Sequence, residues 1–224
     1  MDLSDDEMKK IFREDGYRLS EHFLEKSTPG IAIFALMKTA YESVDSLITS
    51  FASRITRENK KTDCKKGCHW CCSQAVFLAP WEGFYLQELI LKRFNPERRS
   101  QIKTRAYEKH DHTSTLSLKE QLHTRISCPL LEDKVCSVYP NRPMACGIYL
   151  SMNVNSCINQ YENPENPEIF AELYDFPFIA GRGINEGIAR WMEEKGLDTR
   201  NETLESSLLR LLEDRNAMDE WIAG

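Results

Sequence analysis

Apolar residues recur along most of this chain at helical spacing and almost nowhere with the alternation of a strand. A capping box, Ser4 with Glu7, opens a helix expected over about 5–26, where Met8, Ile11, Phe12, Leu19, Phe23 and Leu24 recur and Gly16 interrupts or bends the pattern. Ser27-Thr28-Pro29-Gly30 is a second start signal. It leads into the cleanest stripe: Ile33, Leu36, Met37, Ala40, Tyr41, Val44, Leu47, Ile48, Phe51 and Ile55, with Lys38, Glu42, Asp45, Thr49 and Arg54 on the opposite side. This predicts a core helix of about seven turns, ended by polar residues 57–63. Ala75 to Leu78 is a short apolar run descending into a helix that Pro80 begins and Asn95-Pro96 stops. Residues 97–126 are polar and helical, with a restart at Ser117 and Glu120 and an exposed loop at His110-Asp111-His112. The stretch 127–165 has little helical period. Asn166-Pro167-Glu168 predicts a helix to about 174, broken by Pro177 and Gly181–Gly183. Further helices follow, one around Ile184, Ile188, Trp191 and Met192 closed by Gly196, and one around Leu204, Leu208, Leu211 and Leu212 capped near Asn201. Met218, Trp221 and Ile222 dock the tail.

The fold class is therefore mostly α, a helical scaffold carrying two irregular cysteine-bearing loop regions. Residues 1–60 read as N-terminal helices, 61–160 as a metal-binding region and 161–224 as C-terminal helices, together one compact domain. The length of 224 residues suits that size. A net charge of −6 with no basic stripe argues against nucleic acid. No apolar run nears the ~20 residues that span a bilayer, and the polar start MDLSDDEMKK has no secretory pattern. A cytoplasmic, non-membrane protein is expected. In a reducing compartment, clustered thiols favour metal ligation or catalysis over disulfides.

All eight cysteines lie in two blocks: CKKGCHWCC, Cys64 to Cys72, and the stretch from Cys128 to Cys157. The first holds Cys64, Cys68, Cys71 and Cys72 at the spacing C-x3-C-x2-C-C; the second holds Cys128, Cys136, Cys146 and Cys157. Thiolates select zinc, iron–sulfur clusters or Cu(I), and close pairs converge at little loop-closure cost. Gly67 suits a chain wrapping a metal. Adjacent side chains diverge by about 100° in a helix and point to opposite faces of a strand. So Cys71 and Cys72 serve two centres, or one ligates while the other is reactive or packs. Two four-cysteine sites and seven ligands with one spare both fit. Cys157, isolated and last, is either a ligand or a small buried hydrophobe. His69 flanks the site on its loop, and Trp70 shields it.

The motif Cys64–Cys72 resembles the signature of the CxxCxxCC cysteine-cluster family (YkgJ type), a zinc- or iron-chelating domain. The second block agrees: Cys128-Pro129-Leu130-Leu131, Cys136-Ser137-Val138-Tyr139, and Arg142-Pro143-Met144-Ala145-Cys146. The family usually has Arg where this chain has Gly147. The resemblance covers about residues 64–150. One branch, the longer flagellin lysine N-methylases, is described as using an iron–sulfur cluster in methyl transfer.

Together these imply a cysteine-ligated centre, a [4Fe–4S] cluster or alternatively Zn2+, drawing on Cys64, Cys68, Cys71, Cys72, Cys128, Cys136 and Cys146, with Cys157 as a further metal ligand. Redox or group-transfer chemistry is one reading. A zinc-stabilised module that holds a protein partner without catalysis is another, and a metal store is a third and weaker one. Arg142, in the rigid turn Tyr139–Pro143, bonds sulfurs or anchors loop carbonyls. No nucleophile–base pair, phosphate loop or dinucleotide fingerprint marks a catalytic residue, so whether the protein is an enzyme stays open.

Overall fold

The computed structural model describes residues 3–25 and 29–224. The start signal at Ser27-Thr28 lies outside them. The expected mostly α fold is present, 66% helical with ten α-helices and only small strands among the described residues. No described helix is long and apolar enough to cross a membrane.

α1 (Asp5–Leu24) starts at the Ser4 capping box, whose carboxylate partner Glu7 receives both the Ser4 N–H and hydroxyl at 2.8 Å. Gly16 neither bends nor interrupts it. Its bare Cα faces α8 (Asp175–Glu194) so closely that a methyl group there would sit 2.0 Å from the Ile184 carbonyl oxygen. Gly187 meets the Arg13 carbonyl the same way. The two helices run side by side in the same direction, backbone against backbone, sealed by Arg13–Glu186 and by the Tyr17 hydroxyl donating to Glu194 at 2.6 Å. Pro177 and the glycines at 181–183 likewise do not break α8. Pro177 falls in its first turn, where its missing N–H is not needed, and the glycines serve packing.

α2 (Pro29–Arg57) buries Ile33, Leu36, Met37, Ala40, Tyr41, Val44 and Ile55 as its stripe requires. It packs on α3 (Pro80–Arg93), which is apolar on nearly every side. α4 (Pro96–Thr113) begins at the Asn95 cap and α5 (Leu118–His123) at the Ser117–Glu120 capping box. His110 and His112 lie in the last turn of α4, not in a loop. Their ring nitrogens go separate ways, to the Ser206 hydroxyl and to the Glu108 carbonyl.

The apolar run before α3 ends in β1 (Phe77–Leu78), which pairs antiparallel with β4 (Glu202–Thr203) and ties the first thiol block to α9 (Leu204–Glu213). The second block contains more order than its sequence period suggested. β2 (Leu131–Glu132) and β3 (Val135–Cys136) form a hairpin, α6 (Met144–Gly147) carries Cys146, and α7 (Val154–Glu162) carries Cys157. No helix forms at 166–174. There the Asn166 side chain accepts from the Glu168 N–H, and Leu173 bridges to Ser151. α10 (Ala217–Ala223) closes the chain, with Trp221 against Phe84.

Three buried titratable side chains organise the core. Glu82 of α3 accepts from the Tyr41 hydroxyl (2.9 Å), the Met144 N–H (2.8 Å), the Ala79 N–H and Asn185. Burial raises its pKa while these donors oppose the shift. Lys109 and Glu205 are 4% and 1% exposed, with nitrogen and oxygen 3.7 Å apart. Thr113 donates to one Glu205 oxygen, and the other has no hydrogen-bond partner among the described residues.

Removing one partner of a buried ion pair strands the other charge. Lys109→Met should cost roughly 3–4 kcal/mol in denaturant unfolding, whereas the double change Lys109→Met with Glu205→Met should cost well under that. Glu82→Ala, which leaves four donors bare, should cost roughly 3 kcal/mol in the same assay.

Candidate metal centre

The first thiol block is an irregular loop tightened by turns. Gly67 takes φ +93, a left-handed value that a side chain would resist. The Cys68 N–H donates to the Lys65 carbonyl at 3.0 Å. Trp70–Ser73 form a 3-10 turn that presents Cys71 and Cys72. The two adjacent thiols interact with each other.

The second block reaches this loop from several sides. The Cys128 N–H donates to the Cys72 carbonyl at 2.7 Å. Asp133 and Lys134, both at positive φ, make the two-residue turn between β2 and β3 and set Cys136 opposite Leu131. The Leu130 N–H, two residues on, bonds the Cys128 sulfur at 3.4 Å. Glu132 fixes the hairpin to α4, taking Arg98 at 2.6 Å and Arg105 at 2.9 Å, while Arg105 also donates to the Pro129 carbonyl. The polar face of α4 is thus partly a clamp on this hairpin. Cys64 accepts from the Ser151 N–H at 3.1 Å and donates to the Tyr149 carbonyl at 3.3 Å. Trp70 packs edge-on against Tyr161 of α7, 5.3 Å between centroids, and so covers one flank of the turn; His69 packs against Trp70.

All eight thiols are free, seven partly exposed and Cys157 buried. Several lie close enough to act on thiols of the other block: Cys157 on Cys64, Cys128 and Cys146 on Cys72, and Cys71 on Cys136. No three His, Cys, Asp or Glu side chains among the described residues meet at ion-binding distance. The donor set nevertheless fits a thiophilic metal in kind: soft sulfur, backbone N–H bonds to sulfur, and cations alongside. Arg142 stacks on Tyr139 at 4.3 Å, donates to the Gly147 carbonyl at 3.4 Å, and bears on Cys71, Cys136 and Cys146. Arg142 is thus both a loop anchor and a positive group beside the sulfurs. Lys109 lies near Cys128 and donates to the Gln74 carbonyl.

Sequence reasoning missed three contributors. Glu82 holds the N-terminal N–H of α6, hence the Cys146 turn; its signal was a carboxylate inside an otherwise apolar helix. Lys109 and Glu205 gave no signal, since both sit in stretches whose charges read as solvated.

Burial lifts Cys64 and Cys128 from 9.0 to about 11, and lifts Cys136, Cys146 and Cys157 as well. Cys72 is raised by its bond to Cys71, and Cys71 is drawn down to about 7 by the same bond, with Arg142 helping. A thiol raised in the fold stabilises the protein below its unfolded pKa and loses that contribution as pH rises through the folded one. The metal-free, reduced protein should therefore lose thermal stability between pH 9 and about 11, the window of Cys64 and Cys128. Cys128→Ser should flatten that loss in melts across the range. Metal loading should reverse the sign, because protons compete for thiolates and acidification releases the ion.

No curated protein and no solved structure matches the chain. A family model does, over residues 63–166, the span of both thiol blocks. That span is similar to the CxxCxxCC family, described as a putative zinc- or iron-chelating domain.

Proposed function

We propose that this metal-chelating domain holds a cysteine-ligated iron–sulfur cluster of the [4Fe–4S] type and that the protein uses it in redox or group-transfer chemistry in the cytoplasm. The observation that carries this reading is a cavity of about 400 Å³ reaching Cys71 and Cys146. Tyr149, Arg182, Asn185 and Glu82 help to wall it. A structural site is closed around its ion, whereas a working centre keeps a side open to a reactant. The bound cluster would supply electrons or a Lewis-acidic iron. The chain's own residues would bind, orient and shield. Cys64, Cys68, Cys71, Cys72, Cys128, Cys136, Cys146 and Cys157 form the ligand pool. Arg142 and Lys109 offset the negative charge that thiolates bring inside.

A zinc-stabilised, non-catalytic module that holds a protein partner has its own support. The Cys128–Cys136 hairpin, with a backbone N–H on the Cys128 sulfur, suits closed structural zinc.

Purification without oxygen, followed by absorbance and by iron, sulfide and zinc analysis, separates the two. The cluster predicts a brown protein with broad visible absorption and sulfide matching iron. A colourless protein with tightly held zinc would sink the iron–sulfur reading.

A further inference from the structure

The geometry points to the cavity between α6 and α8 as a binding site for a small monocarboxylate, whose anionic head is taken by Arg182 at the mouth and whose apolar body reaches toward Cys71 and Cys146. This names the class of reactant for the open side of the thiol blocks, and in that respect it rests on the function proposed above.

The cavity follows from how α8 is used. Phe178, Arg182 and Asn185 are four and three residues apart, which sets them on one face of that helix. Gly183 and Gly187, on the other face, press against α1, so the first face is left to the thiol side. Gly181 admits Ile148 and Met144 at close range and so brings the α6 segment, with Cys146, alongside. Gln74 to Phe77, which follow the first thiol block, add further wall, and Leu122 of α5 stands at the rim. The volume of about 400 Å³ lies among those of pockets that hold small molecules, about 300–1,000 Å³.

The hydrogen-bonding capacity left open in this cavity is mostly that of donors. Glu82 is the carboxylate in the wall, and both its oxygens are occupied, one by Tyr41 and Met144 and the other by Ala79 and Asn185. The Asn185 side-chain oxygen takes the Trp81 indole N–H at 2.9 Å. One amide N–H of Asn185 goes to Glu82, and the second is left over. The Tyr149 hydroxyl is engaged with Gln160 and Gln74. Arg182 is exposed and brings five donors and a full charge. The acid one turn further along α8, Glu186, pairs with Arg13 of α1 instead.

Apolar faces continue inward from that charge. The Arg182 guanidinium lies 6.0 Å from the Phe178 ring centre, and Phe178 meets Tyr149 edge-on, also at 6.0 Å. A guanidinium fork matches a carboxylate, and the aromatic faces suit an apolar body behind it. A second negative charge at the inner end would meet the saturated, buried Glu82 at low dielectric, so dicarboxylates are disfavoured.

Iodoacetate and iodoacetamide test this on the full-length, reduced chain freed of metal, where the outcome does not depend on which ion the thiols hold. Both alkylate a thiolate, the S–CH2 bond forming as iodide leaves, and they are nearly the same size. Only iodoacetate carries a carboxylate. Peptide mass spectrometry gives the rate at each cysteine. Arg182→Gln should lower the iodoacetate-to-iodoacetamide rate ratio at Cys71 and Cys146 by roughly threefold or more, the attraction of one nearby charge. The ratio at Cys68, outside the cavity, should not change. Arg182→Lys, which keeps the charge, should retain most of the wild-type ratio. Arg190→Gln, on the same helix but paired with Glu194, should retain all of it. Millimolar benzoate should slow the iodoacetamide reaction at Cys71 and Cys146 in wild type and not in Arg182→Gln, whereas benzamide should slow neither. Circular dichroism checks that each variant keeps the fold. An unchanged ratio in Arg182→Gln would overturn the inference. So would an equal fall at Cys68, no protection by benzoate, or equal protection by benzamide. The metal reading survives any of these results, because it is decided by the metal content of the purified protein.

Discussion

Eight thiols gathered in one basin repel as soon as they ionise, and the rest of the structure answers to that constraint. Burial keeps most of them protonated: Cys64 and Cys128 are raised to about 11, and Cys146 higher than its ordinary range. The neutral basin can therefore fold before a metal arrives. Once thiolates form, they need positive charge and hydrogen-bond donors close by. Arg142, Lys109 and the backbone N–H groups of Leu130 and Ser151 supply them.

The helical scaffold is shaped to hold these parts still. α1 and α8 meet backbone to backbone at Gly16 and Gly187. That contact leaves the opposite side of α8 to receive α6 at Gly181, where a methyl group would meet Ile148 at 2.2 Å. α3 reaches across with Glu82, so the turn bearing Cys146 is fixed to α2, α3 and α8 by one carboxylate. α4 clamps the hairpin through Glu132. The cysteine loops carry little regular structure of their own, and their order is borrowed from these four attachments.

The two flanks of the thiol blocks also differ. On the side of α6 and α8, a cavity reaches Cys71 and Cys146, which suits exchange with a reactant. On the side of α7, Trp70 and Tyr161 cover the turn and Cys157 is buried.

The sequence alone determined the mostly α class, the capping boxes at Ser4 and Ser117, the core stripe of α2 and the thiol pool with its affinity for soft metals. These are local matters: periodicity, caps and donor chemistry are written within a few residues of each other. It misjudged Gly16, Pro177 and Gly181–Gly183, because whether a glycine or proline breaks a helix depends on what packs against it. It gave no sign of the Lys109–Glu205 pair or of the role of α4, because a charge looks solvated until its distant partner is known. The helix around Cys157 was hidden in a stretch with little helical period. Only the tertiary structure decided which cysteines come together across the two blocks, since the Cys128 N–H reaches the Cys72 carbonyl through a chain path that no spacing records.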